Sequence, residues 1–382
     1  MTFAVDICAD ITALPGAAWD ACAGPADPFV SHGFLAALET SGSACAATGW
    51  QPQHLCVRAS SGDLVAVAPL YLKSHSYGEY VFDWGWAEAY QRAGGRYYPK
   101  LQACVPFTPA TGRRLLVRPG EDPVALGRVL VTAMLELART RGASSLHVTF
   151  PTRQEWELCG DLGLSRRVGV QFHWPNRGYR CFDDFLAALA QRKRKAIKKE
   201  RREVAESGVA VRTLSGAAIE ERHWRAFHRF YLDTIDRKWA QAYLTEAFFL
   251  ELPRALGERV VLVVAEQAGE PVAAALHLLG DDALYGRYWG STGEHRYLHF
   301  EACYYRAIEL AIERGLARVE AGAQGPHKIQ RGYLPAETWS AHWLADRRLG
   351  QAVGSFLERE RRAVAAELAA LGELSPYRRG GE

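Results

Sequence analysis

The chain has 382 residues, of which 48% are hydrophobic and 23% charged, and a net charge of +3; this is an ordinary globular composition, long enough for two domains of roughly 150–200 residues each. No run approaches the ~18 uninterrupted apolar residues of a membrane span, and the opening "MTFAVDICADITALPG" lacks the basic start and long apolar run of a signal peptide. The eight cysteines contain no C-x-x-C pair, so they read as reduced thiols of a cytoplasmic protein rather than as disulfides or zinc ligands, and no metal is expected.

In chain order, "HLCVRAS" (54–60), a turn at Ser61-Gly62-Asp63 and "LVAVAPLYLK" (64–73) predict a β-hairpin. "FDWGWAEAYQRAGGRYYPKL" (82–101) mixes aromatic residues with charges. Residues 122–142 carry helical apolar periodicity with a glycine stop. "SSLHVTF" (144–150) predicts a short buried strand, "RQEWELCGDLG" a helix, and "LSRRVGVQFHWPN" a strand ended by Pro175. A basic helix over about 182–206 follows; between Gln191 and Glu206 eight Lys/Arg face three Glu, so the chain's positive charge is concentrated there. Beyond it come a strand (208–214), two helical stretches around 220–236 and 245–256, and three strands within 259–291. A helix (300–315), a strand (316–322), the loop "EAGAQGPHKIQRGYLP" (320–335) and a strand (338–345) lead to a long helix over about 347–371. Strand, two helices, a three-strand meander, helix and strand is the element order of the acyl-CoA N-acyltransferase fold. The expectation is therefore α/β, with two tandem acetyltransferase-like domains built on mixed central sheets flanked by helices. Their expected bounds are residues 1–177 and 178–382.

The segments "FDWGWAEAY" (82–90), "YYPKLQACVPFTPATGRRLL" (97–116), "QFHWPN" (171–176), "LYGRYWG" (284–290), "LHFEACYY" (298–305) and "GAQGPHKIQRGY" (322–333) resemble the bacterial predicted N-acyltransferases, also called the peptidoglycan biosynthesis/recognition family and related to the Fem-type aminoacyltransferases. The resemblance implies two acetyltransferase-like domains that move an aminoacyl group from tRNA to an amine of a peptidoglycan precursor. It also implies a basic helix opening the second domain and a functional lysine late in it, matched here by Arg194–Arg202 and by Lys328 before Arg331, Gly332 and Tyr333. Tyr333 stands where relatives often carry Phe. CoA-dependent members of the fold cradle pyrophosphate on a [QR]-x-x-G-x-[GA] turn; "GSTGEHRYLHFEA" lacks that spacing, which argues against an ordinary acetyl-CoA donor.

Candidate residues follow from chemistry. Gly322, Gly325 and Gly332 offer positive φ or close backbone approach, and Lys328 offers a cation for a developing oxyanion or phosphate; the bland alternative is a solvated loop lysine. Glu301 and His299, at a helix start, are candidate proton acceptors, although the helix dipole alone accounts for Glu301. Cys303 reads as a buried structural thiol rather than a nucleophile. Asp83, Trp84, Trp86, Tyr98 and Lys100, with Arg287 and Trp289, suit a sugar or peptide acceptor through stacking and charged hydrogen bonds. His327, Arg331 and Tyr333 join them as candidate substrate contacts, and His173 and Trp174 are weaker ones. Arg192, Arg194, Lys195, Lys198, Lys199 and Arg202 form a polyanion-binding face, for tRNA or the diphosphate of an activated sugar carrier; a solvated face with i,i+4 pairs is the alternative. No helix-turn-helix or finger pattern accompanies it, so DNA is not an expected partner.

The expected activity is N-acyl transfer from an activated donor, aminoacyl-tRNA, with no permanently bound cofactor. The acceptor is an amine of a cell-wall precursor or a small metabolite. Two alternatives stay open: an acyl-CoA donor on the same fold, and a recognition module for peptidoglycan or nucleic acid without turnover.

Overall fold

The computed structural model describes residues 3–237, 241–322 and 325–378. The chain forms two compact units, one from residues 1–169 and 337–366, the other from 170–336 and 367–382. The expected single cut at 177/178 is thus replaced by an interleaved division. Its cause is the strand Leu334–Leu344, whose residues Ser340–Leu344 pair antiparallel with Ser145–Thr149 in the first unit.

In the first unit, the helix Pro123–Thr140 begins at Asp122, whose carboxylate accepts from the Val124 and Ala125 amides at 2.9 and 3.1 Å, the arrangement that satisfies orphan donors at a helix start. Its apolar stripe (Leu126, Leu130, Met134, Leu137) packs on Leu101, Leu146 and Val148. The predicted hairpin is there, but its second half is split. Leu64–Ala68 joins a four-stranded antiparallel sheet with His54–Arg58, while Leu70–Lys73 joins the sheet of Lys100–Ala103. Pro69 between them has no N–H to give to a ladder, so the strand breaks and changes sheet there. "WGWAEAYQR" folds as a helix, Trp84–Arg92.

The sheet that carries Lys100–Ala103, paired in parallel with Ser145–Thr149, has two unlike faces. Alternation places Leu101, Leu146, Val148 and Ala341 on the apolar side. The other side presents Lys100 and Gln102, Ser145, His147 and Thr149, and Ser340 and His342, all 3% exposed or less.

The second unit has strand order Val209–Ser215, Val260–Gln267, Glu270–Leu279, Ala283–Ser291, Arg318–Glu320 and then residues 173–175 of the strand Ser165–Pro175. All pairs are antiparallel except Ala283–Tyr285 with Arg318–Glu320. The basic region is two helices rather than one, Phe182–Ala188 and Gln191–Ala205. They separate at Leu189, which is extended and bridges to Tyr377. Ile197 and Val204 are the buried residues of the second helix, the narrow apolar stripe expected of it. Among the described residues no helix is long and apolar enough to cross a membrane.

Candidate active site

In the second unit, the parallel pairing of Ala283–Tyr285 with Arg318–Glu320 covers three rungs. The first strand then runs on to Ser291, while the second ends at Glu320. The two therefore part, and the opening is where a ligand meets free backbone in an α/β sheet. A register shift opposite Leu276/His277 leaves Arg287 as an extra residue, a bulge that re-aims the strand at this point. Gly290 lets the helix Glu221–Arg237 approach, because a Cβ there would lie 2.2 Å from the Phe230 carbonyl oxygen.

The loop after Glu320 folds into a 3-10 helix, Pro326–Arg331, bounded by Gly325 at φ 121° and Gly332 at φ 93°, conformations that favour glycine. Lys328 sits on this turn, 4% exposed. Its Nζ donates to the carbonyls of Ala321 at 2.5 Å and Gly322 at 3.1 Å. No carboxylate pairs with it among the described residues. Burial pushes its pKa down to about 8. An ammonium seated on two carbonyls keeps its third N–H for another acceptor.

The helix before the strand runs from Leu298 to Glu313, and its residues Glu301–Tyr305 form a π-helical turn, a wide turn frequent at functional sites. Glu301 lies in it, 4% exposed, and its carboxylate is occupied. Arg201 donates to both oxygens, at 3.0 and 2.9 Å, and Arg306 Nε is 3.1 Å away. Arg201 also reaches Glu309 at 2.6 Å. The structure thus gives Glu301 a bracing role in place of the expected proton acceptor, because both of its oxygens are already taken by guanidinium groups. His299 is half-buried, with edge contacts to Trp289 and Tyr304 at 5.4 and 5.2 Å between centroids. Burial pushes the Cys303 thiol well up, which keeps it from acting as a thiolate.

The other candidates divide. His327 is exposed and its Nε2 lies 3.1 Å from the Tyr304 hydroxyl. Arg331 donates to Glu200 at 2.9 Å and its guanidinium sits 3.3 Å over the Phe300 ring; Tyr305 also donates to Glu200. Lys193 donates to Gln330. The inward side of the basic helix is therefore clasped to both the π turn and the lysine loop. Tyr333 differs from the expected substrate contact: it is fully buried, its hydroxyl donates to the Tyr304 carbonyl, and it belongs to the core rather than to a substrate surface. Arg287 is 5.3 Å over the Tyr288 ring, and both Arg287 and Trp289 are half-buried on the diverging strand.

On the outward side, Arg192, Lys195, Lys198, Lys199 and Arg202 are exposed and Arg194 is half-buried. Among the described residues Lys198, Lys199 and Arg202 make only long pairs, of 3.7 to 4.0 Å, with Asp183, Glu203 and Glu206. Beside them runs a groove of about 770 Å³ with Phe182, Leu186 and Val211 on its walls and Lys198 and Arg202 at its rim.

The remaining candidates, Asp83, Trp84, Trp86, Tyr98 and Lys100, belong to the first unit. Lys100 is fully buried and donates to Ser76 at 2.8 Å, Glu79 at 2.7 Å and Asp83 at 2.5 Å. Burial alone would lower its pKa, and Glu79 and Asp83 more than offset that. Tyr97 donates to Asp83 at 2.8 Å, and Tyr98 meets Ser76 at 2.9 Å. Trp86 is 8% exposed and packs edge-on to His342, while Trp84 is 39% exposed. Asp83, Lys100 and Trp86 thus form a sealed layer instead of the expected acceptor surface, because each faces the polar side of the sheet beneath the helix Trp84–Arg92. The residues that reading the chain left out, Glu200, Arg201 and Glu320, have a weak linear signal. Only the alternation Gln171/His173 and Arg318/Glu320 on short strands marks a polar face.

The profile of the family FemAB_like, described as peptidoglycan biosynthesis/recognition, matches residues 10–379. The solved structure of FemX is similar at 13% identity and a TM-score of 0.57, over 89% of this chain and 98% of that one. The C-terminal domain of a proposed lysylphosphatidylglycerol synthetase from Agrobacterium fabrum is similar at 11% identity and a TM-score of 0.55, over 88% and 93%. L-PGS from Bacillus licheniformis is similar at 11% and 0.50, over 93% and 98%. At these identities the likeness is one of fold. Among curated protein sequences none matches.

Proposed function

We propose that this chain, which belongs to the FemAB-like peptidoglycan biosynthesis/recognition family, is an N-acyltransferase that takes its acyl group from aminoacyl-tRNA. The observation that carries the reading is Lys328: a buried cation with no carboxylate partner among the described residues, held on two carbonyls where two parallel strands part. In aminolysis of an ester, negative charge develops on the acyl oxygen as the amine attacks. A positioned ammonium with a spare N–H stabilises that charge more than it stabilises the ground-state carbonyl. Alignment of amine and ester supplies the other large share of the rate.

The basic face supports a tRNA donor. Its exposed cations, Arg192, Lys195, Lys198, Lys199 and Arg202, suit phosphates, and the same helix is tied through Arg201, Glu200 and Lys193 to the cleft. A donor gripped there is coupled mechanically to the lysine loop. The acceptor in this reading is an amine of a peptidoglycan precursor or of a small metabolite. The test is a parallel transfer assay with labelled aminoacyl-tRNA pools, or acyl-CoAs, and a bacterial metabolite extract as the acceptor source. Label moving from tRNA to an acceptor is the expected result. Movement from acyl-CoA alone would replace the donor, and consumption of neither would favour a recognition module.

A further inference from the structure

We propose that His173, oriented by Glu320, is the proton acceptor for the attacking amine in the second unit's cleft, an inference that rests on the acyltransferase reading. Glu320 is the last rung of both its strand pairings. It lies opposite Tyr285 in the parallel pair and opposite His173 in the antiparallel pair. The dyad therefore stands at the lip where the strand Ala283–Ser291 departs, on the strand end that leads into the Ala321 and Gly322 carbonyls holding Lys328.

The atoms are arranged for this role. Glu320 is 3% exposed, and its Oε1 accepts from Arg318 Nε at 2.9 Å. Its Oε2 is buried without a hydrogen-bond donor and lies 3.7 Å from His173 Nε2. A buried carboxylate oxygen left without a donor is costly, and an imidazole N–H that tightens onto it when substrate binds removes that cost. Gln171 Oε1 is 3.4 Å from the same Nε2. Two acceptors around Nε2 place the proton there, which leaves the lone pair on Nδ1. Among the described residues no hydrogen bond ends on that nitrogen. Burial lowers the His173 pKa; Glu320 opposes this, and Arg318 and Lys328 add to it. The imidazole is neutral at pH 7 and ready to accept.

The first unit supplies a contrast. There His147 and His342 occupy the corresponding rung, opposite one another beside a parallel strand pair. Their Nδ1 atoms meet at 2.7 Å, and their Nε2 atoms meet Ser145 at 2.8 Å and Ser340 at 2.9 Å. Every ring nitrogen is used, and His342 is 1% exposed. The side chain of His173 is 16% exposed. The same position is closed in one unit and open in the other.

The neutral amine nitrogen forms a bond to the acyl carbon, and the carbonyl π pair moves to oxygen beside Lys328. His173 Nδ1 takes one proton from the ammonium so formed. As the tetrahedral centre collapses, the C–O bond to the donor's ribose breaks, and the leaving oxygen takes that proton from the imidazolium. The products are an amide and a free hydroxyl, and His173 is neutral again.

The experiment measures apparent kcat and KM for whichever labelled donor the wild type consumes, between pH 5 and 9, for His173→Gln, Glu320→Gln and Lys328→Ala. His173→Gln should lower kcat about 10²–10⁴-fold with little change in KM. It should also abolish the acid limb, which in the wild type lies below the ordinary histidine value, and added imidazole should restore part of the rate. Glu320→Gln should lower kcat less and shift that limb to lower pH, and Lys328→Ala should retain a limb, moved to higher pH. A His173→Gln protein that retains its acid limb and a rate within threefold of wild type would overturn the proposal. If wild type transfers from no donor, the acyltransferase reading fails separately, and nitrogen-15 histidine NMR decides the dyad. A His173 neutral at pH 7 with Nε2–H shifts that move in Glu320→Gln would support it. A protonated or Glu320-insensitive ring would overturn it.

Discussion

Lys328 is held by geometry that only a lysine fits. Its three donors are directional on a slim ammonium, and two of them are spent on the Ala321 and Gly322 carbonyls. An arginine fork is wider and planar, and does not fit the same seat; Lys328→Arg should therefore lose most of the activity of the wild type, measured as the initial rate of transfer. The charge itself sets a pH limit. Burial holds the lysine at about 8, so the protonated form dominates below pH 8 and is lost as pH rises through it. With acceptor saturating, transfer should fall about tenfold per pH unit above 8. A rate that stays level to pH 10 would show that the ammonium is not used. Glycines and an aromatic draw attention to the lysine in the chain, but they fit a solvated loop lysine as well, and it is the resemblance of its segment to the family that singles it out. The role of Glu301 was not legible, because its partner Arg201 lies 100 residues away and only folding brings the two together.

The helix Gln191–Ala205 works on both sides. Its inward ion pairs are structural, and its outward cations are available. Arg201→Ala removes the bidentate partner of a carboxylate that is itself 5% exposed on its side chain, while Arg306 remains. The expected loss is about 2 kcal/mol of stability, less than for a fully stripped buried pair, measured by urea unfolding. Replacing Lys195, Lys199 and Arg202 by Gln should leave stability within about 0.5 kcal/mol. It should also lower the slope of log affinity for tRNA against log salt by about 2–3, one unit or slightly less per lost phosphate contact. The chain's charge pattern announced this helix. It did not announce the break at Leu189, which depends on a bridge to Tyr377, far along the chain.

At the scale of the molecule, the fold class was readable because local periodicity sets helices and strands, while the assignment of the last strand was not. Ser340–Leu344 follows the lysine loop of the second unit and completes the sheet of the first, where Ser340 and His342 close the polar layer. That pairing joins residues nearly 200 positions apart, and no local pattern encodes it. A fragment of residues 1–169 should consequently fail to fold as a cooperative unit. It would leave the edge of Ser145–Thr149 unpaired and the buried His147 without His342. Dispersed amide NMR signals and a sharp thermal transition from that fragment would contradict the interleaved division.

Acyl transfer in the cleft that holds Lys328 is what the proposed function requires. It is tested most directly by single-turnover transfer of labelled aminoacyl groups from tRNA, with wild type beside Lys328→Ala and near-ultraviolet circular dichroism to show that both are folded. The predicted result is a folded variant whose transfer rate is about 10²–10³-fold lower, with tRNA affinity retained. A folded Lys328→Ala protein that transfers at the wild-type rate would contradict the claim.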